Sequence, residues 1–337
     1  MKLSGKITER TASWMIEELE ILNFIQRTIQ KMAGYKPELT RQPDHFEFWE
    51  ANTTEFEELA LKVERKFVNL PTLQFVDCFD FSFAGCDGTR VSAWYLVPKN
   101  NLPVPGVVVF PGYTGGRGLP EEHVLWAAAG FAVLAIDARA QGGETGSNQH
   151  LAFGSTKGWI TQGILEPSTS YLKFLIGDAY RAVNSLAIQP EVDPNRLAVA
   201  GSSQGGGLAL WATALNPRVK ACAANVPNLC HLDYSIFAST GSVIEAADFI
   251  RRFPDKMEQV LESLSYFDFM NSAERVTVPI YMSVGLQDRV CPPEAVYAAY
   301  NHITSSKHLE VYPFSGHRVE PIQTRKVLRF LQKEFGM

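Results

Sequence analysis

The chain has 337 residues, 46% hydrophobic and 20% charged, the balance of a globular protein able to bury a large core. Its net charge of −5, without a long run of Lys or Arg, argues against a nucleic acid or an acidic membrane surface as partner, since those attachments need clustered positive charge. The start, Met1-Lys-Leu-Ser-Gly-Lys-Ile-Thr-Glu-Arg10, lacks a signal-peptide apolar core, no stretch nears the roughly 18 apolar residues of a membrane span, and five scattered cysteines lack metal-type spacing, so the expectation is a soluble, cytoplasmic chain with reduced thiols.

In chain order, Trp14, Leu19, Leu22, Ile25, Ile29 and Met32 fall near helical spacing and predict an amphipathic helix over 11–33, which Gly34 can stop. A second helical stretch is expected over about 44–66. Alternation then takes over: 74–83 and 90–97 read as strands joined by the Gly85-Cys-Asp-Gly88 turn, an antiparallel hairpin. Strand and helix then alternate, with strands at 106–110, 131–136, 196–201, 219–225, 279–284 and 308–312. Helices are expected at 120–129, 169–187, from Ser203, at 293–303 and at 320–335. Two stretches interrupt the pattern, a polar Gly-rich one at 138–168 and one at 230–272 that reads as a helical insertion. The expectation is an α/β chain with a mostly parallel eight-stranded sheet, mixed at its hairpin edge and covered by helices on both faces: the α/β-hydrolase plan. Residues 1–34 form a helical extension and 35–337 the main domain.

The most informative segment is Leu197-Ala-Val-Ala-Gly-Ser-Ser-Gln-Gly205, an apolar strand running into a Gly-x-Ser-x-Gly turn ahead of a helical pattern. A strand that turns sharply into a helix brings backbone against backbone, so glycines at 201 and 205 remove side chains that would collide. Ser203 is then the exposed nucleophile. Ser202 would need glycines at 200 and 204, where Ala200 and Gln204 stand. In such sheets chemistry collects at the carboxyl ends of strands, in the order Ser, Asp, His. Asp288 follows the strand ending at Val284, and His317 follows the strand ending at Tyr312; they lie 85 and then 29 residues on. His302 and His308 belong to the opposite end of the sheet, His231 could line a pocket, and Asp248 and Asp268 suit solvated or capping roles.

A serine hydroxyl is a weak nucleophile at neutral pH, so His317 must take its proton while Asp288 holds the imidazole tautomer. The attacked carbonyl oxygen becomes negative and needs backbone N–H donors. Those expected are the amide of Gln204 and, from the loop Pro111-Gly-Tyr-Thr-Gly-Gly-Arg-Gly118, that of Tyr113. Arg139 and Gln141 read as a supporting hydrogen-bond shell, and Phe153, Trp159 and Tyr171 as possible pocket-lining residues.

The segments 111–118, Asp137-Ala-Arg-Ala-Gln-Gly142, Gly201-Ser-Ser-Gln-Gly-Gly206, 283–293 and Gly316-His317 resemble the successive motifs of the acetyl xylan esterase and cephalosporin C deacetylase family. The resemblance covers about 35–330. It implies Ser203, Asp288 and His317 as the triad, Tyr113 and Gln204 as oxyanion donors, and deacetylation of small acetylated sugars and related esters. It also implies no cofactor, no metal and a ring-shaped hexamer. Three features depart from the family pattern. Ala140 replaces the glycine between Arg139 and Gln141, where alanine tolerates a positive φ poorly. Arg318 follows the histidine in place of Glu, with Glu320 further on, and residues 1–34 have no counterpart. Open alternatives are the same fold with another acyl specificity, such as a dienelactone-type hydrolase or small peptidase, and a non-catalytic binding protein on that fold.

Overall fold

The computed structural model describes residues 23–99 and 103–337. Of the expected first helix, the part from residue 23 onward is described, and Trp14, Leu19 and Leu22 lie outside the described residues. Helix α1 (Phe24–Ala33) opens with a capping box in which Asn23 accepts from the Gln26 amide at 2.9 Å and Gln26 accepts from the Asn23 amide at 2.8 Å. Its buried Met32 and the turn after it dock on a later helix, whose Asn301 donates to the carbonyls of Met32 and Tyr35.

Helix α2 (His45–Glu58) ends where Leu59 turns extended, eight residues before the expected limit. The next element is a strand, β1 (Glu64–Val68), which pairs antiparallel with β2 (Val76–Ala84). The expected eight strands are therefore nine among the described residues, because Glu64-Arg-Lys-Phe-Val68 carries no apolar alternation that could announce it. Four of its five residues are exposed, and its charges suit an edge that must not recruit other strands.

The hairpin β2–β3 (Arg90–Pro98) forms as expected, with Phe81 opposite Ala93. Then come β4 (Val104–Phe110), α3 (Val124–Ala128), β5 (Ala132–Ile136), α4 (Tyr171–Ala187), β6 (Val192–Ser202), α5 (Gln204–Leu215) and β7 (Val219–Asn225). The insertion supplies α6 (Leu232–Ala238), α7 (Ile244–Arg252) and α8 (Met257–Ser265), after which β8 (Ile280–Gly285), α9 (Pro293–His302), β9 (Lys307–Tyr312) and α10 (Pro321–Glu334) close the chain. The sheet order is β1-β2-β3-β5-β4-β6-β7-β8-β9, antiparallel as far as β5 and parallel from there on. This is the α/β-hydrolase fold with one added edge strand.

Alternation along the central strands sorts side chains onto two faces. Val108, Leu134, Val199 and Cys222 pack with α4, α5 and α9, while Val107, Val133, Ala198, Ala200 and Ala223 pack with α3 and α10. Strands β4, β6, β7, β8 and β9 run parallel, so the loops after them all open at one end of the sheet. No helix among the described residues is long and apolar enough to cross a membrane.

Helix α2 locks onto the insertion. Trp49 is fully buried, donates its indole N–H to the Tyr266 carbonyl at 2.9 Å and packs on Trp211. His45 is equally buried, with Nε2 2.8 Å from Ser272 Oγ; burial first, and the charges of Arg41 and Arg275 next, bring its pKa down to about 4. Between that value and the ordinary one the unfolded chain takes up a proton that the folded chain refuses, so stability falls as pH falls through this window. Urea unfolding should show the wild type losing up to about 3 kcal/mol more than His45→Gln on going from neutral pH to the acid end of that window.

Candidate active site

The strand-to-helix turn is as tight as the glycine spacing requires. A Cβ on Gly201 would lie 2.2 Å from the Gly205 carbonyl oxygen, and one on Gly205 would lie 2.2 Å from that of Phe110. Ser203 takes φ 59° and ψ −122°, a conformation other than helix or strand, held by its amide on the Asn225 carbonyl at 3.0 Å and its carbonyl on the Asn228 amide at 2.9 Å. The side chain is thereby lifted from the start of α5.

Asp288 and His317 arrive on two loops tied together by backbone bonds, Gln287 N–H to Ser315 O at 3.0 Å and Leu286 N–H to Tyr312 O at 3.1 Å. Gly285 permits this, since a Cβ there would sit 2.4 Å from the Ser315 carbonyl oxygen. The Asp288 carboxylate is shielded from solvent and its two oxygens are used differently. Oδ1 accepts the amides of Val290 and Cys291 at 2.8 and 2.9 Å, and Oδ2 is 2.8 Å from His317 Nδ1. His317 Nε2 in turn lies 2.9 Å from Ser203 Oγ. Two backbone amides therefore fix the carboxylate before the imidazole reaches it, and the imidazole is fixed before it reaches the serine. Glu320 supports the same loop by accepting from Ser315 Oγ and pairing with Arg318, each at 2.5 Å.

Gln141 joins three elements around the elbow. Its carbonyl oxygen accepts the Thr114 amide at 2.8 Å, and its Nε2 reaches Tyr171 Oη at 2.7 Å and Gln204 Oε1 at 2.9 Å. Among the described residues, the amides of Tyr113 and Gln204 donate to no backbone carbonyl, and Gln204 opens α5, so its N–H is one of the unused donors at a helix start. Tyr171 is fully buried, with its hydroxyl on the Arg139 carbonyl, so it is a strut and no pocket wall. Trp159 is half-buried with its ring edge-on to Tyr113 at 5.2 Å, and the exposed Phe153 packs on Phe249 and Phe253.

Ala140 does adopt the left-handed region, at φ 56°, which lets the chain turn between Arg139 and Gln141 at the expense of local strain. Arg139 is completely buried. It meets Asp178 through two bonds of 2.7 Å and Asp87 through bonds of 2.9 and 3.0 Å. Burial opposes ionisation of Asp87, yet the Arg139 bonds and charge outweigh it and hold that carboxyl at about 2. The partners Asp87 and Asp178 went unrecognised in the sequence, where nothing links them to residue 139. With Cys86 they form a cluster of metal-ligand chemistry, but the guanidinium already bonds all three.

The competing residues lie elsewhere. Asp268 is buried with both oxygens capping the amides of His231, Leu232 and Met270; burial raises it to about 7 against those bonds. It caps, as one of its two expected roles, but it is not solvated. Asp248 pairs with Arg251, His231 is buried against Tyr234, His302 bonds the Pro37 carbonyl, and His308 stacks on Tyr281.

With this geometry in place, a family model described as acetyl xylan esterase (AXE1) matches residues 22–334. The chain belongs to the acetyl xylan esterase family of carboxylic ester hydrolases. The match begins at residue 22 and so includes α1. An acetyl xylan esterase from Paenibacillus sp. R4 is 37% identical, with a TM-score of 0.88 over 90% of this chain and 99% of that one. Acetyl xylan esterase 1 from Thermoanaerobacterium sp. JW/SL YS485 is 31% identical, with a TM-score of 0.86 over 91% and 98%. The acetyl esterase Axe7A of Xylanibacter ruminicola is 29% identical over 297 residues, 85% of this chain; the chain spans 66% of that protein's length.

Removing Arg139 alone would strand the Asp178 carboxylate in the interior. Arg139→Leu should lower stability by about 3–5 kcal/mol, read from the urea midpoint at constant m-value.

Proposed function

We propose that the protein is a serine esterase that removes acetyl groups from small esters such as acetylated xylooligosaccharides. Ser203 Oγ attacks the acetyl carbonyl as His317 Nε2 takes its proton, and Asp288 steadies the imidazolium. The oxyanion is received by the amides of Tyr113 and Gln204, the latter aided by the positive start of α5. His317 then returns the proton to the departing sugar oxygen, leaving an acetyl-enzyme. Water, deprotonated by the same imidazole, releases acetate and restores Ser203. The chemistry needs no cofactor.

The observation that carries this reading is the relay of 2.8 and 2.9 Å contacts from Asp288 through His317 to Ser203, with Ser203 held in a strained turn. The acetyl preference is supported by family membership and by relatives titled acetyl xylan esterase and acetyl esterase. On the resemblance alone we extend the proposal to cephalosporin C as a substrate, a cytoplasmic location and a hexameric ring, the last readable by sedimentation velocity.

The test is hydrolysis of aryl esters of increasing acyl length, acetylated xylooligosaccharides and cephalosporin C, alongside fluorophosphonate labelling. Activity should peak at acetate and vanish with the label in Ser203→Ala. A wild type that takes no adduct would overturn the proposal, and a preference for long acyl groups or amides would replace its substrate class. Asp288→Asn should retain binding and lose about 10⁴-fold in kcat, because the carboxylate no longer sets the imidazole tautomer.

A further inference from the structure

One buried carboxylate in the helical insertion has no part in the relay yet touches the loop expected to receive the oxyanion. Glu245 stands in the first turn of α7 and is 7% exposed. Its Oε1 accepts the Tyr113 hydroxyl at 2.6 Å, and its Oε2 accepts the Ile160 amide at 3.2 Å. The Tyr113 oxygen also accepts the Trp159 amide at 3.2 Å, and the Trp159 ring stands edge-on to the tyrosine ring. Gly158 completes the cradle at φ 71°: a Cβ there would lie 1.9 Å from Glu245 Oε1. The carboxylate therefore has a built seat, closed by backbone on one side and by the tyrosine on the other.

The other end of Tyr113 is constrained too. The preceding carbonyls of Phe110 and Pro111 lie so close to Gly205 that a Cβ there would be 2.2 and 3.0 Å from them. The following residue, Thr114, takes φ 65° with its amide on Gln141. Between these anchors lies the Tyr113 peptide with its side chain. A side chain gripped by its hydroxyl holds the peptide, and hence the N–H, in one direction.

We infer that Glu245 is a positioning residue: by gripping the Tyr113 hydroxyl from α7 it aims the Tyr113 amide at the oxyanion, which makes the helical insertion part of the catalytic apparatus. The inference rests on the reading of Ser203 as nucleophile and Tyr113 as donor. An exposed carboxylate would be a poor anchor, because water competes for its bonds; burial removes that competition. Burial and Glu245 both raise the Tyr113 hydroxyl above its ordinary value, so it remains the donor in this pair.

Phosphonylation of Ser203 also builds negative charge on an oxygen in the oxyanion site, so its rate reads the donor alignment whatever ester the enzyme prefers. The experiment compares fluorophosphonate labelling rates, and kcat and KM on an aryl acetate, for wild type, Tyr113→Phe, Glu245→Gln, Glu245→Ala and the Tyr113→Phe/Glu245→Gln double variant, each checked for wild-type circular dichroism. Tyr113→Phe deletes one oxygen and tests the same bond should the Glu245 variants fold badly. Expected is a loss of about tenfold to a hundredfold in labelling rate and kcat for Tyr113→Phe and Glu245→Ala, with KM within about twofold. Glu245→Gln, which keeps an oxygen for the tyrosine, should exceed Glu245→Ala. The double variant should be no slower than the slower single one, since both changes act on the same bond. Rates for Tyr113→Phe and Glu245→Ala within about twofold of wild type, or multiplicative losses in the double, would overturn the inference while leaving the proposed activity standing. A wild type that takes no label would remove both.

Discussion

Where β6 turns into α5, the main chain passes so close to itself and to the end of β4 that no side chain fits at positions 201 and 205. This close approach is the constraint on which the site depends. It forces Ser203 into a conformation that an L-residue rarely holds, and the surrounding sheet over-determines it through bonds to Asn225 and Asn228. Because β4, β6, β7 and β8 are neighbours in parallel, their loops open together around that serine. The α/β sheet thus acts as a rigid plate that brings residues far apart in sequence to one edge.

Charge is handled by two different means around this plate. Asp288 is held by two backbone amides that carry no net charge, leaving one oxygen for His317. The carboxylate is therefore oriented without a cation that would compete with the imidazole. Arg139, one layer deeper, is instead enclosed by two carboxylates and has no route to solvent. Burying three charges is unfavourable unless each is paired, and here the bidentate fork of the guanidinium pairs them. What this arrangement secures is the turn at Ala140 that presents Gln141 to the elbow, the loop after β4 and α4 at once.

The helical insertion has its own place in this arrangement. Its α7 reaches back through Glu245 to Tyr113, and its later residues are clamped by α2 through His45 and Trp49. A helix that precedes the sheet in sequence and an insertion between β7 and β8 therefore meet on one side of it. A segment that reads as an interruption of the strand and helix alternation is packed into the molecule as firmly as the strands are.

Local rules made much of this legible. Apolar runs and alternation announced the hairpin and the parallel strands, because a sheet covered on both faces needs them, and the glycine spacing singled out Ser203 because only glycine survives backbone contact. Asp288 and His317 could be chosen because chemistry lies at strand ends in a given order. The edge strand β1 was not legible: an exposed strand of charged residues is held by backbone bonds to β2, which leave no periodic trace in side chains. Nor were the partners of long-range bonds, Asp87 and Asp178 for Arg139 or Glu245 for Tyr113, which stand 52, 39 and 132 residues from them. By itself the sequence determined the alternation of strands and helices and the residue types at each loop, since those depend on neighbours along the chain. Strand order, the meeting of loops at one edge and the burial that turns a carboxylate into an anchor were decided only by the tertiary structure, because each depends on distances between segments that no local pattern encodes.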